Sequence, residues 1–345
     1  MSVSIILPIR NEEQFIGKTL QSIIDQKFKG ELEIIISDGI SNDGTRGIVK
    51  EFQNDHKNII LIDNHDQIVP NGFNRALNLA KGKIIVRVDG HSTIAPDFIE
   101  QCLRVLKETN ADCVGGSTYH DSSTIIGDHI AIAQSSIFGS GGASFRKGIK
   151  KGKFVDTLAF GAYKRDSFLD NGGYDEELIR NQDEEFNFRL IQKGGKIWID
   201  PSIKSTYYVR DSILKLFKQY YYYGFFKVRV IQKTKVLISL RHLVPALFVL
   251  TIVFTFCISY FYKITWPAII SLGIYFMISI IFSFYESMRK DFKPLILLPF
   301  VYFLMHISYG VGFIVGLFYF LNKWGNITLV DSHFDKKKFV ENSNV

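Results

Sequence analysis

The chain has 345 residues, 47% of them hydrophobic and 14% aromatic, with 41 basic against 34 acidic residues and a formal charge of +7. That length bounds it to one large or two ordinary domains. Its three cysteines, Cys102, Cys113 and Cys257, share no metal or redox spacing, which excludes a disulfide framework and fits a reducing compartment. Much of the basic excess lies beside apolar segments, so it points to an anionic membrane surface and away from nucleic acid.

From Met1 to Arg10 the apolar run is too short for a signal peptide and has no basic flank. It predicts a first strand, Val3–Ile9, closed by Pro8, and an N-terminal domain that stays in the cytosol. Arg10-Asn11-Glu12-Glu13 follow, and then Phe15, Ile16, Leu20, Ile23 and Ile24 recur at helical spacing within Gln14–Gln26. A second strand, Leu32–Ile36, runs into Ser37-Asp38-Gly39 and Asp43-Gly44-Thr45. A helix over 46–52, a strand Ile59–Ile62 and a helix Gly72–Leu79 lead to the apolar run Ile84–Val88, which stops at Asp89-Gly90-His91. This alternation predicts a parallel sheet with right-handed crossovers.

Asp38, Asp43 and Asp89 then share the carboxyl edge of that sheet, where ligands bind in α/β folds. Acids gathered on one edge call for a cation or hydrogen-bond donors. Asp89 and His91, two residues apart, suit one divalent cation, although Asp-Gly is also common turn chemistry. Asp38, directly after a strand, reads as a ligand contact, whereas Asp43 reads equally well as a helix cap.

Asp97–Lys107 reads as a helix and Cys113–Gly116 as the tail of a strand. The stretch Phe138–Lys153, rich in glycine, lysine and arginine, is too flexible for an element interior. It is either a loop that closes over phosphates or a plain connection. Phe160-Gly161-Ala162-Tyr163 reads as a strand end. Within Arg180–Leu190, Phe186, Leu190 and the adjoining Ile191 give a helical face, with Asp183 and Glu184 in a first turn whose dipole favours acids. Ile197–Ile199 and Thr206–Val209 read as short strands that close a soluble domain over 1–210.

Residues 211–240 interleave Leu216, Phe217, Tyr220–Tyr223 and Phe225-Phe226 with Lys215, Lys218, Lys227, Arg229, Lys233 and Lys235. Aromatic and basic residues mixed in this way predict a helix lying in the bilayer interface. Within 241–321, the stretches 242–261, 264–284 and 295–320 are each long enough to span. Arg289, Lys290 and Lys293 in the connector before the third favour the cytoplasmic side. Three crossings would leave the polar tail, 322–345, on the far side, yet Lys336-Lys337-Lys338 lies in it.

The motifs Leu7-Pro8-Ile9-Arg10-Asn11-Glu12-Glu13, Ser37-Asp38-Gly39 with Asp43-Gly44-Thr45, Arg87-Val88-Asp89-Gly90-His91, Gly141-Gly142-Ala143 and Asn181-Gln182-Asp183-Glu184-Glu185-Phe186 occur in this order. Together they resemble the family 2 glycosyltransferases of GT-A fold, a Rossmann-like mixed, mainly parallel sheet. More narrowly, the chain resembles their membrane-attached branch, typified by succinoglycan-type glucosyltransferases of exopolysaccharide biosynthesis. The resemblance implies that Pro8, Arg10 and Glu12 cradle the nucleoside of a UDP-sugar, that Asp38 reads base and ribose, and that Arg87 and Asp89 belong to the same donor site. It places Asp89 and His91 on a Mn²⁺ or Mg²⁺ ion and makes Asp183 the catalytic base, with Glu185 as its neighbouring acid. Gly161, Gln219 and Tyr223 are the candidate acceptor-side or interface positions.

A sugar hydroxyl is a poor nucleophile, so one carboxylate within hydrogen-bond reach should take its proton. The cation offsets charge on the leaving diphosphate. One base opposite the leaving group gives single displacement with inversion. The chain departs from the family pattern at His91, where a carboxylate is usual, at Gln182, where Glu is usual, and in lacking the Gln-x-x-Arg-Trp motif of processive synthases. The expected activity is therefore transfer of one sugar, glucose first among candidates, to a polyprenyl-diphosphate type lipid-linked saccharide at a cell membrane, beside other polysaccharide-assembly proteins. The rivals are a processive synthase subunit, a catalytically silent membrane scaffold and, last, a sugar nucleotidyltransferase, which would want glycines in the first loop.

Overall fold

The computed structural model describes residues 1–142, 144–209, 211–236, 240–289 and 296–342. Ala143 of the Gly141-Gly142-Ala143 motif, Lys290 and Lys293 of the basic connector, and Leu295 at the start of the third apolar stretch lie outside the described residues. The elements run β1 (Ser2–Ile9), α1 (Ile16–Ile24), β2 (Glu31–Asp38), α2 (Thr45–Asp55), β3 (Ile59–Asp63) and α3 (Val69–Leu77). Next come β4 (Ile84–Arg87), β5 (Ser92–Ile94), α4 (Phe98–Thr109), β6 (Cys113–Asp121), α5 (Ile125–Ser135), α6 (Ile137–Ser140) and α7 (Ser144–Lys147). They continue with β7 (Lys153–Phe154), β8 (Ala162–Lys164), α8 (Asp166–Asn171), α9 (Gln182–Gln192) and β9 (Ile197–Tyr208). The C-terminal part holds α10 (Ile213–Thr234), α11 (Val244–Tyr262), α12 (Trp266–Met288), α13 (Leu298–Tyr319) and α14 (Lys336–Glu341).

Two compact units emerge, and neither is continuous in sequence. The first combines Met1–Tyr119, Gly148–Tyr208 and the chain from Thr328 onward; the second combines His120–Lys147 with Val209–Ile327. The chain-order division into 1–210, 211–240, 241–321 and 322–345 does not anticipate this interleaving.

In the first unit, the described residues form one mixed sheet of order β3-β2-β1-β4-β8-β6-β9-β5, with β7 on β9. β1 pairs in parallel with β2 and β4, and β2 with β3. This is the parallel arrangement that the alternation predicts. β8 then enters antiparallel to β4, and β9 antiparallel to β5 and β7. Where two short strands are expected, 197–199 and 206–209, a single β9 forms. Its Pro201 falls between the stretch that pairs β7 and the stretch that pairs β5.

Because side chains alternate along a strand, each central strand serves two cores. Val3, Ile5, Leu7 and Ile9 face Ile16, Leu20, Val49 and Phe98 of α1, α2 and α4. Ile6, Ile35 and Ile85 face Phe73, Phe168 and Phe186 of α3, α8 and α9. In this second core Tyr174 stacks on Phe73 at 4.1 Å between ring centres and Phe168 on Phe186 at 4.7 Å. Such pairs add about 0.5–1.5 kcal/mol each beyond their burial. The register sets Ile9 against Asp38 and Asp38 against Asp63, so the strand ends form one carboxyl edge.

The tail belongs to this same core. Phe339 on α14 is fully buried, and the Arg165 guanidinium lies 3.6 Å over its ring. Asn78 holds the backbone of Asp335 and His333, and Glu176 accepts from Ser332 and from His333.

The second unit contains α5–α7 and α10–α13. The stretch expected to be flexible, Phe138–Lys153, carries two single-turn helices, α6 and α7, which are too short to give strong periodicity. α10 and α13 lie side by side in backbone contact: a Cβ on Gly312 would stand 2.0 Å from the Tyr221 carbonyl oxygen, and one on Gly316 2.6 Å from that of Phe225. Farther along, Gln232 donates to the Phe320 carbonyl (2.9 Å) and Arg229 to that of Lys323 (3.2 Å). Residue numbers rise together along both helices, so they are parallel. Small residues spaced by four permit such close approach. Three helices, Leu240–Tyr262, Trp266–Met288 and Leu298–Tyr319, are long and apolar enough to cross a membrane.

Candidate active site

β4 ends at Arg87, and the chain then turns at the carboxyl edge through Asp89-Gly90-His91. The loop is fixed from several sides: Val88 N–H donates to Ile6 (3.1 Å), Thr19 Oγ1 to the Gly90 carbonyl (2.9 Å) and Ser92 Oγ to that of Asp89 (2.6 Å). Only glycine fits at position 90, where a Cβ would meet Ile9 Cγ2 at 2.8 Å and Glu12 Cγ at 2.9 Å. The Arg87 N–H is bound by the Gly161 carbonyl (3.2 Å), so Gly161 acts through its backbone beside β4.

Arg87 is the centre of the arrangement. Its side chain is only 11% exposed; Nη2 lies 3.0 Å and Nε 3.2 Å from Asp89 Oδ1, while Nη1 lies 3.4 Å from Asp183 Oδ2. One guanidinium fork thus joins the acid of the β4 loop to the acid in the first turn of α9. Tyr174 backs it, with the guanidinium carbon 5.8 Å from the ring centre. Burial alone would raise the Asp89 carboxyl, but Arg87, then His91 and Arg180, outweigh it and hold it below its ordinary value. Burial likewise pulls Arg87 down, yet Asp89, Tyr174 and Asp183 lift it well above its usual value. The structure therefore brings Arg87, Asp89 and Asp183 together, and Asp183 keeps 37% of its side chain open to an incoming group.

His91 is oriented just as firmly. Its Nδ1 stands 2.9 Å from Glu12 Oε1, and its ring meets Tyr207 edge-on at 4.8 Å. A carboxylate oxygen at that distance accepts from Nδ1, which turns Nε2 to the other side of the ring. A carboxylate behind one imidazole nitrogen is the usual support for a metal-binding histidine. Among the described residues no three His, Cys, Asp or Glu side chains gather as a metal group. Asp89 with His91 nevertheless fits Mn²⁺ or Mg²⁺ in kind, because such ions take one or two protein ligands and complete their shell with phosphate oxygens and water.

The other candidates are placed differently. Both Glu185 oxygens are held by Arg189 at 2.8 Å, and Arg189 also donates to the carbonyls of Asn171 and Gly173, so this acid ties α9 to the loop before Tyr174. Gln182 is buried beside Asp183. A neutral amide there spares Asp183 a like-charged neighbour. Pro8 is buried at the end of β1, opposite Ser37, and Arg10 is exposed just beyond it. Asp38 is fully buried; Arg46 (2.6 Å) and the Ser41 N–H (3.0 Å) bind its Oδ2, and Ser41 Oγ binds Oδ1. It organises its own turn, with Arg46 reaching on to Asp63 at 2.8 Å. Asp43 accepts from the Thr45 N–H at 3.0 Å and the Glu13 N–H at 3.3 Å, while the N-cap of α2 is Gly44, so Asp43 is not the helix cap. Gln219 and Tyr223 belong to the second unit, on α10, where Gln219 Nε2 donates to the Tyr223 hydroxyl at 2.9 Å.

Three contributors escape sequence reasoning. Asn74 clamps Tyr174 by accepting from its N–H and donating to its carbonyl, both at 2.8 Å. Arg180 acts on Asp89 electrostatically. The tail braces Glu176, two residues after Tyr174. Asn74 was the one legible signal, as a polar residue on the apolar face of α3.

The family model for glycosyl transferase family 2 matches residues 4–170. The dolichyl N-acetyl-alpha-D-glucosaminyl phosphate 3-beta-D-2,3-diacetamido-2,3-dideoxy-beta-D-glucuronosyltransferase of Methanococcus voltae is 31% identical over 331 residues, covering 91% of this chain and 97% of that protein. Succinoglycan biosynthesis protein ExoA of Rhizobium meliloti is 27% identical over 320 residues, covering 90% and 93%. Among solved structures, the mannosyltransferase PcManGT from Pyrobaculum calidifontis, in complex with GDP-Man and Mn²⁺, shares the fold with a TM-score of 0.56 and 16% identity over 91% of this chain and 86% of that one.

Proposed function

We propose that this chain, which belongs to glycosyl transferase family 2, moves one sugar per event, with inversion, from a UDP-sugar to a lipid-linked saccharide. Membership makes it a glycosyltransferase; the observation that carries the finer reading is the Arg87 fork between Asp89 and Asp183. In this reading Asp183 takes the proton of the acceptor hydroxyl as the new bond forms. Arg87 holds that carboxylate at a fixed distance from the Asp89 loop, where the donor diphosphate lies, so base and leaving group sit on a rigid frame. Asp89 and the Nε2 of His91 would hold the divalent ion, which when bound supplies positive charge to the leaving diphosphate. Glu12 keeps His91 in the required tautomer, and Arg10, exposed at the same edge, faces the donor. Glu185 acts by positioning α9 through Arg189. UDP-glucose is the first candidate donor.

The lipid-linked acceptor is supported by the dolichyl phosphate substrate in the name of the Methanococcus voltae relative, and by three helices able to cross a membrane. We place the catalytic unit on the cytoplasmic side of a cell membrane. The test is nucleotide release by purified protein given a panel of UDP- and GDP-sugars, with and without Mn²⁺ and a lipid extract. Metal-dependent UDP release from one donor, lost in Asp89→Ala, supports the reading. Release from GDP-mannose alone, or equal release in EDTA, contradicts the donor or the metal respectively.

A further inference from the structure

The first unit is one folded body, and a folded body lies on one side of a membrane. The chain leaves it after Tyr208 and is back in it from Thr328, with Phe339 in its core. The intervening segment must therefore cross the bilayer an even number of times, so the three candidate spans can all be crossings only if α10 is a fourth.

The helix directions decide which two remain. α10 starts at Ile213, five positions after the chain leaves the first unit at Tyr208. α13 is parallel to it and in backbone contact along its length. If α10 through α13 each crossed in turn, alternation would make α10 and α13 antiparallel, which they are not. α13 ends beside the C-terminal end of α10, and only residues 320–327 link it back to the first unit, three of them in the 3-10 turn Leu321–Lys323. Eight residues with three of them in such a turn reach about 24 Å, short of the roughly 30 Å hydrocarbon core. Extended backbone in lipid would also leave its polar groups unpaired. Both ends of the α10–α13 pair thus lie on the side of the catalytic unit.

We infer that the α11–α12 hairpin is the single excursion across the bilayer, and that α10 and α13 lie together in the surface of the leaflet on the catalytic side. The inference rests on the membrane association proposed above. α11 and α12 have 19 and 23 residues and are joined through Lys263–Thr265 alone, lengths of about 28 and 34 Å that match the hydrocarbon thickness. Apart from Ala246, Val249, Ala268 and Tyr275, which are buried, most of their apolar side chains are exposed, as lipid-facing helices require, and Tyr260, Phe261, Tyr262 and Trp266 crowd the tip at the depth where aromatic residues favour the interface. α13, by contrast, has a largely protein-covered surface, with Tyr302, Met305 and Ser308 fully buried. On α10, exposed Lys215 and Lys218 stand beside exposed Ile213 and Leu214. That combination suits an anionic headgroup layer with an apolar layer beneath it. Lys235, Arg241 and Arg289 flank the catalytic-side ends of the hairpin against Lys263 alone at its tip, which orients the catalytic unit inward.

The test uses the full chain with Cys257→Ser as background, since Cys102 and Cys113 are buried. Single cysteines at Lys263→Cys, Arg289→Cys and Ile327→Cys are exposed to a membrane-impermeant maleimide in spheroplasts and in inverted vesicles, beside a C-terminal GFP fusion. The inference expects Lys263→Cys to label from outside, the other two only from inside, and the GFP to fluoresce. Labelling of Ile327→Cys from outside, or of Lys263→Cys from inside, overturns it. Carbonate extraction separates the two readings: release of the protein into the soluble fraction defeats the membrane association itself, whereas retention with the wrong labelling pattern defeats only the topology.

Discussion

Arg87→Met keeps the length and apolar bulk of the stem and removes the fork. At an effective dielectric of about 20, unit charges at the separations found here attract by about 5 kcal/mol each. Desolvation of the guanidinium takes back much of that, and breaking a buried pair typically costs about 3–5 kcal/mol. Asp89 and Asp183 are 25% and 37% exposed, so water recovers part of the loss. The expected destabilisation is then about 2–3 kcal/mol. Turnover falls further, because the two acids lose their common frame and a shift of about 1 Å costs about 100-fold. Asp89 also loses the main group holding its carboxyl down, so the acid limb of the rate profile moves to higher pH. Arg87→Lys, a point charge able to serve one acid at a time, should fall between the two. The assays are denaturation in detergent and kcat/KM for sugar transfer from pH 5 to 8. A folded Arg87→Met protein with stability within 0.5 kcal/mol and kcat/KM within threefold of the parent (bounds set at about the scatter expected for a surface substitution) would refute the reasoning.

Glu12→Gln should weaken Mn²⁺ binding, read by electron paramagnetic resonance, by about 10- to 100-fold. UDP affinity in EDTA should stay unchanged; a loss of metal-free UDP affinity would instead place Glu12 on the nucleoside. Phe339→Ala should destabilise the first unit by about 3–5 kcal/mol in chemical denaturation, a loss no free tail could cause. In the second unit, burial first and Arg146 second lower His120 to about 3. Its folded value lies below the ordinary 6.5, so the unfolded chain takes up the proton first and stability falls as pH drops through 6.5 toward 3. Between pH 7.5 and 5.5 this amounts to about 1.4 kcal/mol, and His120→Asn should remove that share of the pH dependence.

The parallel half of the sheet was legible because β1–β4 are apolar runs separated by helical spacing, and β1 with β2 and β2 with β3 pair consecutive strands. The antiparallel half was not: β5 is three residues long and its partner in β9 lies far along the chain. Asp89 and Asp183 could be named from their motifs, but their joining through Arg87 is a tertiary fact. Asp38 reads from its place after a strand as a ligand contact, and its partners in the fold, Arg46 and Ser41, are ones no motif names. The tail reads as polar because three lysines outweigh Phe334 and Phe339, although those two residues fix its place. α13 carries the composition of a span; its parallel packing on α10 and the return of the chain to the first unit are tertiary facts that composition does not hold.

The most direct measurement is Asp183→Asn, assayed at once for UDP binding by calorimetry and for turnover on the preferred donor and acceptor. The account predicts UDP affinity within about threefold of the parent and kcat reduced by at least about 1,000-fold, within the 10²–10⁴ range of general base catalysis. Turnover above about one tenth of the parent with intact binding would contradict Asp183 as the base.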